Sequence, residues 1–194
     1  RIVASVHGTT DLAEFAACDV VIEAVTEILA LKKKVFAELE TVISPETVLA
    51  TNTSALSVTE MAAGLTHPER VVGIHFFNPV AQMPLVEVVQ AERTSPEAVA
   101  TAFAITRKLR KTGVLVKDRP GFVVNRLLVL VMGKVVEAIE NGTDVRVADQ
   151  ALAPGPADAH VRAVRPGGPR RRAARAHLAP SGPGREVPRL AGPG

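Results

Sequence analysis

In the stretch GIHFFNPV, residues 73–80, an apolar run stops at His75, and twelve residues further on Glu87 sits inside a second β-branched run, LVEVV. An imidazole held by a carboxylate is a general-base arrangement. The carboxylate fixes the ring tautomer and stabilises the imidazolium, so the other ring nitrogen can accept a proton. The Asn78-Pro79 turn between the two runs is the feature that would set the two side chains next to each other on neighbouring strands. Three more polar side chains fall where other apolar runs stop: Asn52 and Ser54 after VLAT, and Glu27 just past DVVIEAV. From spacing alone the bland alternatives stay open. A histidine at a strand end also serves as a hydrogen-bonded structural residue, and a glutamate in a strand usually lies on the solvent face.

The elements that must position these groups follow from periodicity. RIVASV, DVVIEAV, TVLATNT, RVVGIHFF, LVEVV and GVLVKD read as strands, and segments with helical spacing separate most of them. TTDLAEFAA reads as a short helix capped by Thr10 or Asp11. In LALKKKVFAELETVI the residues Leu31, Val35, Leu39 and Val42 make an apolar stripe, with Lys32, Lys33 and Lys34 mostly off it. SVTEMAAGL begins with a capping box of Ser57 and Glu60. A helix from Pro96 ends at Gly113, and Pro120 introduces a long apolar helix over 121–142. This β-α repetition predicts an α/β fold, a largely parallel sheet with helices on its faces. Such a sheet collects ligands at the carboxyl ends of its strands, which is where Glu27, Asn52, Ser54 and His75 fall.

Composition narrows the function classes. The single cysteine, Cys18, cannot form an internal disulfide and has no Cys or His neighbour at metal-ligand spacing, so no metal site is expected and a reducing compartment fits. No apolar run approaches the ~20 residues of a membrane span, and a soluble cytoplasmic protein is the expectation. The net charge of +3 divides unevenly, because residues 151–194 hold eight Arg against Asp158 and Glu186, which leaves −3 on the first 150 residues. In those last 44 positions Ala, Pro, Gly and Arg supply 33, with no Lys, Ile or Phe. Such a stretch buries too little apolar surface to offset its ordering entropy, so disorder is expected from 151 onward.

TNTSALSVTEMA, GIHFFNPVAQMPLVEVV and VKDRPGFVVNRLL resemble the successive motifs of the L-3-hydroxyacyl-CoA dehydrogenase family, in order and at consistent spacing, from about residue 1 to about residue 150. LKKKVFAELE and HFFNPVAQMPLVEVV are most similar to the dehydrogenase segment of multifunctional fatty-acid-oxidation proteins. The resemblance implies NAD-linked oxidation of an L-3-hydroxyacyl-CoA to a 3-ketoacyl-CoA in fatty-acid β-oxidation. It implies that His75 accepts the proton of the 3-hydroxyl and that Glu87 holds and charge-balances that histidine. It also implies that Ser54 and Asn125 hydrogen-bond the reacting oxygen, and that Glu27, Lys32, Asn52, Ser54 and Asn78 lie around the cofactor. For Lys32 a solvated lysine in a lysine run stays open as the alternative. Its fold would be part of a Rossmann-like doubly wound sheet (1–118), then the first helix of an all-α C-terminal domain (119–150), then the 151–194 tail. Family members dimerise or form multifunctional complexes.

Two departures from the family pattern set further expectations. No GxGxxG occurs in the chain, so the resemblance starts after the first βαβ unit; an exposed sheet edge, poor NAD affinity and little turnover by this chain alone are expected. After VADQALAP the apolar helical domain gives way to the Arg-rich tail, which looks like an out-of-frame reading of GC-rich DNA beginning near residue 154. Two other readings compete. One takes RPGGPRRRAARAH as a basic arm for nucleic acid or an acidic surface, although it has no aromatics for stacking. The other takes the chain as an inactive remnant of a dehydrogenase gene.

Overall fold

Four short β-branched runs and one run ending in Lys117 form the strands of a computed structural model that describes residues 6–152. They are β1 (Val20–Glu23), β2 (Val48–Thr51), β3 (Val71–Phe76), β4 (Leu85–Gln90) and β5 (Thr112–Lys117), hydrogen-bonded in that order in one sheet. Every pair is parallel except β3 and β4, which the connection through Asn78-Pro79 makes antiparallel, with His75 opposite Glu87. The strand expected over residues 1–6 and the tail expected to be disordered fall largely outside the described residues. What is described divides into two units, one running to Asp144 and one beginning at Val145.

Within the first unit the pleat sorts the core. Leu49, Val71 and Val89 pack with Phe36 and Leu39 of α1 (Leu29–Glu40) and with Val58 and Met61 of α2 (Val58–Ala62). Val48, Ala50, Val72, Ile74, Val86 and Val88 pack with Ala98 and Ala102 of α3 (Pro96–Lys108). Neighbouring residues in a strand point to opposite faces, so a strand buried on both faces reads as an unbroken apolar run. The fold is therefore Rossmann-like and doubly wound, with helices on both faces of a mostly parallel sheet. Gly73 lets one of these faces close. A Cβ there would stand 2.6 Å from Val89 Cβ and 3.2 Å from Val58 Cγ2, too near for any side chain.

Two local expectations change. The buried stripe of α1 is Lys32, Phe36 and Leu39, continued by Ile43 beyond the helix, whereas Leu31 is exposed and Val35 and Val42 are only partly buried. The helix is turned by one residue from the stripe that hydropathy selects, because two carboxylates draw Lys32 inward. At α2 the Ser57 hydroxyl accepts from the Glu60 amide, as a cap should. The carboxylate that completes the cap belongs to Asp118, at the end of β5: it accepts from Ser57 Oγ at 2.9 Å and from the amides of Val58 and Thr59 at 3.2 and 2.7 Å. The short 3₁₀ turn Leu12–Ala17 is capped by Asp11 rather than Thr10.

The apolar helix expected over 121–142 forms as α4 (Val124–Glu140) and has no buried residue. Leu127, Leu128, Val129 and Leu130 are all more than half exposed. No helix among the described residues is long and apolar enough to cross a membrane. The second unit begins with α5 (Val145–Leu152), in which only Ala148 is buried.

Candidate functional site

His75 is the last residue but one of β3, its ring nearly enclosed, and Nδ1 lies 2.8 Å from Glu87 Oε2. Antiparallel pairing puts the two residues directly opposite, so both side chains leave the same face of the sheet. A buried carboxylate beside Nδ1 selects the tautomer that donates from that nitrogen. Nε2 carries no hydrogen bond among the described residues and is not sealed from solvent. The ring is flanked by Phe77 at 4.5 Å and Phe122 at 5.7 Å between centroids.

Glu87 is itself 1% exposed, and its other oxygen accepts from the amides of Val123 and Val124, each at 3.0 Å. These amides open α4, where helix N–H groups lack partners and the dipole favours an anion. The turn that aims them is unusual: Gly121 at φ 71 is followed by Phe122 at φ 48, an aromatic residue in the left-handed region. Such a conformation persists only where the surroundings impose it. Here Phe122 is buried in the α1/α2 core cluster.

A second cluster is built at the ends of β1 and β2. Glu27 Oε1 accepts from Thr53 Oγ1 at 2.6 Å, from the Ser54 amide at 2.8 Å and from Ser54 Oγ at 3.2 Å. Its other oxygen lies 3.4 Å from Lys32 Nζ. Partial burial pushes the Glu27 carboxyl up, but the hydrogen bonds from Thr53 and Ser54 and the charge of Lys32 outweigh it, and the group is held below the usual carboxylate range. Lys32 is fully buried and also meets Glu23 Oε1 at 2.8 Å and the Val25 carbonyl at 3.1 Å. The two clusters meet where Asn125 Nδ2, in the first turn of α4, donates to the Ser54 carbonyl at 3.1 Å.

Of the residues singled out in the sequence, His75 and Glu87 form one hydrogen-bonded pair, and Glu27, Lys32, Ser54 and Asn125 form one connected network. Asn52 spends its side-chain oxygen within the protein, accepting from the Phe76 amide at 3.0 Å and so tying the end of β2 to the end of β3. Asn78 is exposed on the β3–β4 connection, at a cis Asn78-Pro79 bond. Sequence reasoning missed Glu23, Thr53, Asp118 and Phe122. Thr53 and Asp118 stand inside the motifs TNTSALSVTEMA and VKDRPGFVVNRLL, but nothing in local spacing says that they reach Glu27 or a helix sixty residues away. Among the described residues no group of three or more His, Cys, Asp or Glu could hold a metal ion.

The family model described as 3-hydroxyacyl-CoA dehydrogenase, NAD binding domain, matches residues 1–119. Among solved structures, FadB2 of M. tuberculosis is 41% identical, with 76% of this chain and 53% of that chain covered and a TM-score of 0.71. The 3-hydroxybutyryl-CoA dehydrogenase of Escherichia coli is 43% identical, over 70% of this chain and 29% of that one, at a TM-score of 0.68. The dehydrogenase part of a multifunctional enzyme from C. elegans is 36% identical, over 70% of this chain and 31% of that one, at a TM-score of 0.61. The chain thus spans about half the length of the first of these and under a third of the other two.

Proposed function

Because the chain belongs to the 3-hydroxyacyl-CoA dehydrogenase family, whose NAD-binding domain its residues 1–119 match, we propose that it carries the catalytic residues for oxidising an L-3-hydroxyacyl-CoA to the 3-ketoacyl-CoA in fatty-acid β-oxidation. The observation that carries this reading is the buried His75–Glu87 pair at 2.8 Å, with no partner for Nε2 among the described residues. His75 Nε2 takes the proton of the 3-hydroxyl, and the Glu87 carboxylate, held by two helix amides, balances the charge that develops on the ring. The Ser54 hydroxyl, which rests on Glu27 Oε1 at 3.2 Å, would turn to donate to the substrate oxygen, a neutral donor for the oxygen that becomes the ketone. Asn125 fixes the Ser54 backbone and so the direction of that contact.

The residues fit the nicotinamide end of NAD. Glu27 keeps a carboxylate 39% exposed at the rim and Asn78 an exposed amide, so neutral hydroxyl and amide donors have partners there. Glu27, Asn78 and Ser54 would hold the cofactor, with Asn52 setting the β2 and β3 ends behind them. Lys32 acts from beneath, since it faces protein oxygens only. When bound, NAD supplies the acceptor for the hydride that leaves C3.

The test is a chimera in which residues 1–144 replace the matching segment of the E. coli 3-hydroxybutyryl-CoA dehydrogenase. It should oxidise NADH with acetoacetyl-CoA, and His75→Gln should lower kcat by about 10² to 10⁴ with little change in KM. A chimera that is active and indifferent to His75→Gln would sink the assignment.

A further inference from the structure

Lys32 is among the largest fully buried side chains of the described residues, and it is charged. A buried ammonium is tolerated only when paired and hydrogen-bonded. The nearest of its three oxygen neighbours belongs to Glu23, a residue with no place in the chemistry above. We propose that Glu23 is a positioning residue: its buried carboxylate fixes the ammonium of Lys32, which holds Glu27 against the Ser54 loop.

The geometry runs one way, from the core outward. Glu23 is fully enclosed at the end of β1, with every contact a short one: the Val25 amide at 2.6 Å and Lys32 Nζ at 2.8 Å on one oxygen, and Thr51 Oγ1 at 2.8 Å on the other. Thr51 is the residue paired with Glu23 across β1 and β2, so the carboxylate is anchored to the sheet itself. Lys32 reaches Glu23 nine residues along the chain from α1 and has its longest contact, 3.4 Å, with Glu27. Glu27 is the only member of the three that solvent reaches, and it touches Ser54 through two of its donors. A rigid pair below and a partly exposed carboxylate above is the order expected when the inner group sets the outer one. The charged groups facing Glu27 among the described residues are Lys32 from α1 and, behind it, Glu23 from β1.

This inference uses the dehydrogenase reading only for the importance of the Ser54 loop, and its test needs no turnover. The Glu27 carboxyl is titrated by carbon-detected NMR in the intact 194-residue chain, in a cycle of Glu23→Gln, Lys32→Met and the double variant. Lys32→Met should raise the Glu27 midpoint by about one pH unit, the size of effect an opposite charge at this range produces. Glu23→Gln should raise it in the same direction, because the ammonium leaves for solvent once its nearest contact is gone. In the double variant the rise should again be about one unit and no more, as for two residues of which one acts through the other. A midpoint that falls in Glu23→Gln would mean the ammonium moves onto Glu27, with Glu23 competing for Lys32 instead of placing it. That result, or an unchanged midpoint, overturns the proposal. Either single variant leaves one buried charge unbalanced and can fail to fold, whereas the double variant removes both. Glu23→Asp keeps the buried charge but withdraws it from Lys32 by one methylene, so the Glu27 midpoint should rise in that variant too. An unchanged or lowered midpoint in Glu23→Asp overturns the proposal.

Discussion

The side-chain amide of Asn125 donates to the backbone carbonyl of Ser54 at 3.1 Å, and so joins the first turn of α4 to the loop that follows β2. The bond holds together two segments that are 71 residues apart. Asn125→Ala should lower stability by about 1 kcal/mol, the usual worth of one such bond. Amide hydrogen exchange should quicken at residues 53–57 more than in β3 or β4. Uniform loss of protection across the chain would mean that the bond serves general stability and does not hold the loop in particular.

Glu87 serves three donors, so the size of its replacement matters less than its acceptors. Glu87→Ala strands the His75 nitrogen and two helix amides and should cost about 3 kcal/mol or more. Glu87→Gln keeps one oxygen in place and should cost less than half as much. Urea unfolding midpoints of the two variants measure the difference. Equal losses would count against the helix amides as real partners.

Three adjacent lysines should behave in two ways. Lys32→Met leaves the Glu23 carboxylate buried without its cation and should destabilise by about 3 kcal/mol. Lys34, whose side chain is 73% exposed and meets Glu38 at 3.7 Å, should tolerate Ala within about 0.5 kcal/mol. Thermal unfolding of Lys32→Met and Lys34→Ala side by side is the check.

The contrast marks where sequence was legible and where it was not. β-branched runs located all five strands, and the twelve-residue interval across Asn78-Pro79 located the His75–Glu87 pair, because strand pairing through a short connection is a local matter. Lys32 was not legible, since Leu-Lys-Lys-Lys-Val reads as a solvated face until Glu23 and Glu27 are known to lie beneath it. Hydropathy ranks a lysine by its charge and has no means of seeing a counter-charge nine residues back on another element. Asp118 was hidden for the same reason, because a helix cap from a strand end 60 residues away leaves no trace in the residues around the helix.

Acid should expose another carboxylate. Burial pushes the Glu40 carboxyl up, but the amides of Thr66 and His67 and the Arg70 guanidinium outweigh it and hold it below its ordinary value of 4.5. A group with a depressed folded pKa contributes fully above its unfolded pKa, and the contribution drains away as pH falls through the folded value. Glu40→Gln should therefore lower the urea midpoint at pH 7. The gap from the parent chain should narrow steadily below about pH 4.5. A gap that is constant between pH 7 and pH 3 would show that the charge of Glu40 contributes nothing.

The cap that Asp118 places on α2 has a consequence in time as well as in energy. Its bonds to Ser57, Val58 and Thr59 span about 60 residues, as the Asn125–Ser54 bond spans 71, whereas β3 and β4 close over a short connection. Contacts between distant parts of a chain bear the largest loop-closure entropy and tend to form after local ones. The strand pair carrying His75 and Glu87 is thus placed to appear early, and the loop bearing Ser54 is clamped only once the chain has reached residue 125. A polypeptide of this design forms its imidazole–carboxylate pair before it forms the loop and helix contacts that surround it.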